Sequence, residues 1–206
     1  MRPFSTLAPA LAALALLAAP AGVVQAAQAD PAADQIDNFD QALLGTMKQA
    51  DALGIKGRYR KLEPAVTRAF DLAAMARFSV GAATWSKFSD ADQRAVVAAF
   101  TRLSVASYAH NFNGYSGERF EVDPKVDTRG PDKVVKTRLI PGQGAPVVLS
   151  YRMRATTGSW KVIDVLYQGT ISQLTTRRSD LAAVSATGDA KAIAANLNAQ
   201  ADKLMQ

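Results

Sequence analysis

Cysteine is absent from this chain of 206 residues, and histidine occurs once, as His110. Disulfides are therefore excluded, and zinc or iron would lack an ordinary ligand set. A Ser–His–acid triad would need His110, and no GxSxG motif accompanies it. Neither a GxxxxGK[ST] loop nor a GxGxxG motif after a strand is present. We expect no catalytic residue, no metal and no cofactor.

A long apolar run is also missing beyond residue 26, so the rest of the chain is not expected to span a membrane. Leu7–Ala19 is apolar but too short to cross a bilayer, and it lies between Arg2 and the small-x-small sequence Val24-Gln25-Ala26. We interpret residues 1–26 as a cleaved signal peptide, with cleavage after Ala29 as the alternative. Residues 27–206 are expected to form a single domain, because no long linker or internal repeat divides them.

The formal net charge is +6, and the basic residues are scattered rather than clustered. No basic stripe with interleaved aromatic residues is present, so nucleic acid is not an expected partner. Scattered positive charge suits a surface that meets anionic lipid or acidic proteins, and it equally suits plain solubility.

Apolar residues recur at helical spacing before residue 112, and β-branched residues alternate after it. Gly54 and Gly57 are expected to end the first helix, Pro64 to break the second, and Asp71 and Ser89 to cap the third and fourth. The predicted helices are 34–52, 59–70, 72–80, 91–111, 171–183 and 189–204, and the predicted strands are 119–126, 133–140, 147–154 and 160–167. The pattern indicates an α+β fold, in which a four-stranded antiparallel sheet packs against several helices.

The strand Trp160–Leu166 is predicted to be central in the sheet and covered on both sides, because both of its faces are largely apolar. A period of two places Trp160, Val162, Asp164 and Leu166 on one face and Lys161, Ile163, Val165 and Tyr167 on the other. Asp164 is the acid in the middle of this strand. It suits a structural hydrogen-bond acceptor, and less often a general base in a pocket.

Several motifs occur together in a particular order along the chain. They are Phe70-Asp71-Leu72-Ala73-Ala74-Met75-Ala76-Arg77, Gly81, Trp85, Gln93-Arg94, Phe100, Tyr108, Tyr151-Arg152-Met153-Arg154, Trp160-Lys161-Val162-Ile163-Asp164-Val165, Gly169 and Arg178-Ser179. This set resembles the MlaC family, the toluene-tolerance auxiliary proteins of ABC-type lipid transport. The resemblance covers about residues 34–204.

The resemblance implies a periplasmic, soluble protein whose sheet and helices enclose an apolar pocket that holds lipid acyl chains. Such a protein shuttles lipid between an outer-membrane complex and an inner-membrane ABC transporter with an MCE-domain partner. The segment Gly169–Leu181 departs from the usual family pattern and is similar to the branch associated with hopanoid biosynthesis, called HpnM. The resemblance thus implies phospholipid or hopanoid as cargo, and a hopanoid exporter as an alternative partner. We expect the protein to be a monomer.

Large apolar side chains on the strands and facing helices are the candidates for a lipid-binding lining. They are Phe78, Trp85, Phe100, Tyr108, Val135, Leu139, Leu149, Tyr151, Met153, Trp160, Ile163, Val165 and Tyr167. Periodicity does not distinguish a packed core from a lined cavity, and packing is the more frequent role of any one of these residues. Arg152, Arg154, Arg177 and Arg178 are candidates to meet a head group or an anionic membrane, although an ordinary solvated charge is the commoner role.

Two other functions stay open at this stage. The first is a non-catalytic adaptor that binds proteins of lipid metabolism and no lipid, which a solid interior would favour. The second is a small pocket enzyme that acts on an apolar substrate with Asp164 as its base.

Overall fold

The computed structural model describes residues 30–206, and the predicted signal peptide lies outside them. In this part of the chain, five helices precede six strands, and two helices follow. The elements are α1 (Pro31–Met47), α2 (Ala50–Ala69), α3 (Leu72–Val80), α4 (Ala82–Trp85), α5 (Asp90–Asn111), β1 (Arg119–Val122), β2 (Asp127–Arg129), β3 (Asp132–Ile140), β4 (Val147–Thr156), β5 (Ser159–Tyr167), β6 (Ile171–Ser172), α6 (Gln173–Ala186) and α7 (Ala190–Leu204). Among the described residues, no helix is both long and apolar enough to cross a membrane.

Both predicted helix caps are confirmed. The Asp71 carboxylate accepts a hydrogen bond from the Ala74 amide at 2.9 Å, and the Ser89 hydroxyl oxygen accepts one from the Asp92 amide at 3.2 Å. These side chains satisfy amides that the first turn of a helix leaves unpaired. They therefore fix where α3 and α5 begin.

The predicted boundaries of the first two helices are wrong. The first helix ends at Met47, and α2 already starts at Ala50. Gly54 lies inside α2 and breaks its regularity with a φ of 57°, a conformation that glycine adopts without steric cost. Pro64 does not break the helix. It lies on the exposed side of α2, where the carbonyl that it leaves unpaired faces solvent.

The sheet has six strands rather than the four that the sequence predicts. The antiparallel order is β1-β3-β4-β5-β6, and β2 pairs with the other end of β3. The predicted first strand, 119–126, ends early, at Val122, because Asp123 accepts a hydrogen bond from the Lys125 amide across Pro124. This Asx turn interrupts the pairing with β3, which resumes in a shifted register at Asp127 as β2, and Pro124 has no amide hydrogen to contribute to a ladder.

The sixth strand was predicted as the start of a helix. Ile171 and Ser172 instead pair with Tyr167 and Leu166 of β5. The helix begins at Gln173, two residues later than predicted, because the Ser172 hydroxyl oxygen accepts the Thr175 amide at 2.9 Å and acts as its N-cap.

The strand β5 lies between β4 and the two-residue strand β6, so it is one strand in from the edge of the sheet rather than at its centre as predicted. One of its edges pairs with β4 along its length. The other edge is covered by β6 near Leu166 and by the connection between α2 and α3 near Val162, where the Asp71 amide donates to the Val162 carbonyl at 2.9 Å. Both edges therefore have backbone partners.

The pairing of β4 with β5 contains a β-bulge. Arg152 pairs with Asp164, and the adjacent Met153 pairs with Val162. Ile163 is the extra residue on β5 and has no partner of its own. A bulge of this kind shifts the alternation of side chains by one position.

The predicted faces of β5 are wrong for this reason. Val162 and Val165 lie on the same face as Tyr151 and Met153, although a strict period of two separates the two valines. We call this side the inner face of the sheet. It packs against the helices and belongs to the buried core, whereas Asp164 lies on the other side.

One carboxyl group lies inside this core. The side chain of Asp40, on α1, is 0% exposed and lies beside the Tyr151 hydroxyl. Burial, reinforced by the negative charge of Asp37, raises the pKa of Asp40 to about 8. The folded protein therefore binds a proton at Asp40 more tightly than the unfolded chain does.

We predict that Asp40→Asn changes how the free energy of unfolding depends on pH. The stability that protonated Asp40 provides is complete below the unfolded pKa of about 3.9 and is lost as the pH rises through about 8. A pKa difference of one unit corresponds to about 1.4 kcal/mol. The free energy of unfolding of Asp40→Asn, taken relative to that of the wild type, should therefore rise by more than about 2 kcal/mol between pH 4 and pH 9. Urea unfolding across this range measures the difference, with Asp34→Asn as control, since Asp34 is exposed on the same helix. Parallel stability profiles for the wild type and Asp40→Asn would contradict the prediction.

Candidate functional site

A cavity of about 700 Å³ lies between the inner face of the sheet and the helices. Its sheet wall comes from β3, β4 and β5, and its helical walls come chiefly from α5 and α6. The buried apolar part of the lining is Met47, Phe70, Met75, Phe100, Tyr151, Val165 and Leu174. Such a lining can solvate hydrocarbon, because burial of each CH₂ group is worth about 0.8 kcal/mol.

Seven of the candidate residues line this cavity. Phe100 and Tyr108 lie on α5, and the other five lie on the sheet: Leu139, Leu149, Tyr151, Val165 and Tyr167. The register between β4 and β5 explains why four of the sheet residues lie together. Leu149 pairs with Tyr167, and Tyr151 pairs with Val165, so these four form one continuous patch of the inner face.

The other six candidates lie elsewhere. Val135 and Met153 are 0% exposed and belong to the packed core beyond the end of the cavity. Trp160 lies under the Lys133 ammonium, 4.6 Å from the centre of its ring. Ile163 is the bulged residue, and Phe78 and Trp85 line a separate groove that is described below.

Sequence reasoning missed much of the polar lining. Ser104, Ser107 and Asn111 recur at spacings of three and four along α5, and all three line the cavity. Helical spacing places these three residues on one face of α5 with Tyr108, so the sequence alone could have predicted that they share a surface. Phe70 and Met75 also line the cavity, and both belong to the motif that begins the family resemblance.

The rim of the cavity is marked by lining residues that are exposed to solvent: Asn111, Asn113, Ser116, Tyr167 and Gln173. At one side of this rim, the loop at Ser116 crosses the turn at Gly142. A Cβ atom added to Gly142 would lie 1.9 Å from the Ser116 carbonyl oxygen. Only glycine permits this close approach of the two backbones.

Aromatic rings form the wall of the cavity that lies nearest α1. The Phe39 ring contacts Tyr108 and Tyr151 edge-on, with ring centres 5.2 and 6.3 Å apart. Tyr151 is fully buried, and burial together with the nearby carboxyl of Asp40 raises its pKa well above the usual value. Both tyrosine rings line the cavity, and Asp40 lies behind them on α1.

The four candidate arginines have different surroundings. Arg152 and Arg154 both bind the buried carboxylate of Asp132 on the outer side of the sheet, at 2.5 and 2.6 Å. Arg177 lines the cavity and donates to the Gln200 side chain at 2.8 Å, and burial lowers its pKa. Arg178 stacks on the ring of Phe78. Arg177 is therefore the candidate that reaches the cavity.

A second groove, of about 560 Å³, lies between α3, α4 and α6. Its lining is Ala73, Ala74, Arg77, Phe78, Ala82, Trp85 and Arg178. Phe78 is 45% exposed, and its ring centre lies 5.2 Å from the Arg178 guanidinium carbon. This groove is a surface feature separate from the large cavity.

The carboxylate of Asp164 connects two elements of the fold. One carboxylate oxygen accepts the Ser172 hydroxyl at 2.7 Å, and the other accepts the Leu174 amide at 3.1 Å. These bonds attach the start of α6 to β5. The Asp164 side chain is absent from the cavity lining, and so is His110.

Comparisons with known proteins agree with this architecture. A phospholipid-binding protein from Ralstonia solanacearum, solved in complex with a phospholipid, has a similar fold, with a TM-score of 0.72 at 19% sequence identity. The match covers 86% of this chain and 100% of the other. A search of curated proteins found no match.

The sequence model of the family described as "MlaC protein" matches residues 37–199. This span runs from the middle of α1 to the last helix and includes all the walls of the cavity. The chain therefore belongs to the MlaC protein family.

Proposed function

We propose that this protein is a lipid carrier that holds acyl chains in the cavity between its sheet and its helices. The observation that carries the proposal is a largely apolar cavity of about 700 Å³ that is open to solvent at a rim of polar residues. Pockets for small ligands usually measure about 300 to 1,000 Å³. The phospholipid bound to the structurally similar Ralstonia solanacearum protein supports the same class of ligand.

The energetics of lipid transfer suit a site of this kind. Two acyl chains cost on the order of 20 kcal/mol to bring into water, at about 0.8 kcal/mol for each CH₂ group. A carrier has to offset most of this cost to extract the lipid, and it has to bind weakly enough to release it. The lining combines buried apolar side chains with Ser104, Ser107 and Asn111, which makes it less apolar than a bilayer interior.

We further propose that the protein is a monomeric periplasmic shuttle for phospholipid or hopanoid. In this proposal it exchanges lipid with an MCE-domain ABC transporter at the inner membrane and with an outer-membrane complex or hopanoid exporter. Membership of the MlaC family supports the periplasmic transport role. The amino-acid sequence of Gly169–Leu181, which departs from the usual family pattern, supports the hopanoid-associated branch.

The cavity also bears on the two alternative functions. A protein that served only as an adaptor would have no need of an apolar cavity of this volume. The enzyme hypothesis relied on Asp164, and this carboxylate already accepts two hydrogen bonds and does not line the cavity. We therefore propose a carrier without catalytic activity.

Filling the cavity should prevent lipid binding. We predict that Ser104→Trp lowers the amount of lipid bound per protein at least about fivefold, because the indole occupies space in the lining of α5. The measurement is native mass spectrometry after purification from the periplasm, followed by solvent extraction. Ala98→Trp is the matched control, since Ala98 is exposed on the same helix. Equal lipid content in the two variants, or a wild type that binds no lipid from vesicles, would overturn the proposal.

Asp164→Ala should act on stability and leave lipid binding intact. The change leaves the Leu174 amide without its acceptor and removes the bond to Ser172, so we expect a loss of about 1–3 kcal/mol in the free energy of unfolding. Urea unfolding and the lipid content of the folded variant test this prediction. A variant of unchanged stability that loses conversion of a lipid substrate would favour the enzyme hypothesis instead.

A further inference from the structure

Within residues 30–206, a single cationic side chain belongs to the lining of the large cavity. The charged members of the lining are Glu118 and Arg177. Arg177 follows Gln173 by four residues and Leu174 by three, so these side chains share the face of α6 that lines the cavity. Gln173 is exposed at the rim. Arg177 therefore lies in the cavity wall, about one helical turn from the opening.

Arg177 has more hydrogen-bond donors than the described part of the protein uses. A guanidinium carries five N–H groups. The Nη1 atom donates to the side-chain oxygen of Gln200 at 2.8 Å, and the Nε and Nη2 atoms make no hydrogen bond within residues 30–206. The side chain is only 26% exposed. Burial lowers the pKa of Arg177, because water solvates its charge incompletely.

The charge of Arg177 has no closely paired acid among the described residues. The Oδ2 atom of Asp180 lies 3.9 Å from Nη1, beyond the about 2.7–2.9 Å of a charge-assisted hydrogen bond, and the Asp180 side chain is 50% exposed. Water screens an ion pair of this kind. Glu118 precedes β1 and accepts the Ser116 amide, whereas α6 follows β6 at the opposite edge of the sheet. Arg177 is thus a partly buried cation whose charge is weakly compensated.

The shape of a guanidinium determines which ligand would satisfy it. Its planar fork of donors matches two oxygen atoms of one phosphate or one carboxylate. Such an anion would pair with the unused N–H groups and compensate the charge at the same time. An uncharged lipid would compensate no charge. The attraction is larger at a partly buried site than on an open surface, because water and salt screen it less.

We propose that Arg177 binds an anionic group of the lipid, a phosphate or a carboxylate, and thereby selects charged lipids over uncharged lipids with the same chains. This inference rests on the proposed carrier function and specifies the ligand of that site. The acyl chains fill the apolar part of the cavity, and the anionic group lies at the wall of α6. An uncharged lipid, including an uncharged hopanoid, gains no affinity from Arg177.

A competition experiment with the mature protein tests the proposal. The protein is incubated with phosphatidylcholine vesicles that contain equal small amounts of dipalmitoyl phosphatidic acid and dipalmitoylglycerol, and the bound lipid is extracted and identified by mass spectrometry. A second set of vesicles contains palmitic acid and hexadecanol. We expect the wild type to enrich the anionic member of at least one pair about tenfold, as one charge-assisted hydrogen bond would give. Enrichment in the first pair alone identifies a phosphate, and enrichment in the second alone identifies a carboxylate.

Variants at neighbouring positions locate the effect. Arg177→Met removes the charge and keeps a long side chain, and it should reduce the enrichment to less than about twofold while the total lipid per protein stays within about twofold of the wild type. Arg177→Gln, which keeps a polar end without the charge, should give the same loss and serves if Arg177→Met does not fold. Arg178→Met is the matched control, because it removes the same net charge but Arg178 lines the separate groove. It should keep the enrichment.

The outcomes separate this inference from the carrier function. The bond to Gln200 could serve stability alone, and its loss would then lower the free energy of unfolding without changing the ratio of bound lipids. A wild type that binds lipid without preferring the charged member, an enrichment that survives in the Arg177 variants, or an equal loss in Arg178→Met would overturn the inference and leave the carrier proposal standing. A wild type that takes up no lipid of any kind would overturn the carrier proposal.

Discussion

The register between β4 and β5 is the constraint on which the site depends. The bulge at Ile163 lets Val162 and Val165 both reach the inner face, although an uninterrupted strand would separate them. Val162 then belongs to the packed core, and Val165 lines the cavity beside Tyr151. One unpaired residue thus allows a single strand to complete the core at one end and the cavity at the other.

The division between core and cavity runs along individual strands. Leu149, Tyr151 and Met153 follow one another on the inner face of β4, yet the first two line the cavity and Met153 packs without leaving space. Leu149 and Met153 have similar size and polarity, so the difference between them lies in what covers them. This explains why sequence reasoning could propose Met153 and Val135 as lining: their pattern is the same, and only the opposing helices decide their role.

Features with local causes were predictable, whereas those with tertiary causes were not. Asp71 and Ser89 mark helix starts through bonds within one turn, which the sequence shows directly. The bulge at Ile163 depends on the pairing of β5 with β4. The short strand β6 forms because Ile171 and Ser172 pair with β5. Asp40 was overlooked because its burial follows from α1 packing against the sheet, and no local pattern reports that a carboxyl will lie inside a core.

The contact between Gly142 and Ser116 sets the geometry of the rim by backbone alone. Side chains on either loop can therefore vary in size or charge while this edge of the opening keeps its position. The opposite holds for position 142 itself, where even one methyl group would force the loop and the turn apart. A side chain is thus excluded at this one point of the entrance, and the close approach of the two backbones there is a property of the fold rather than of its surface chemistry.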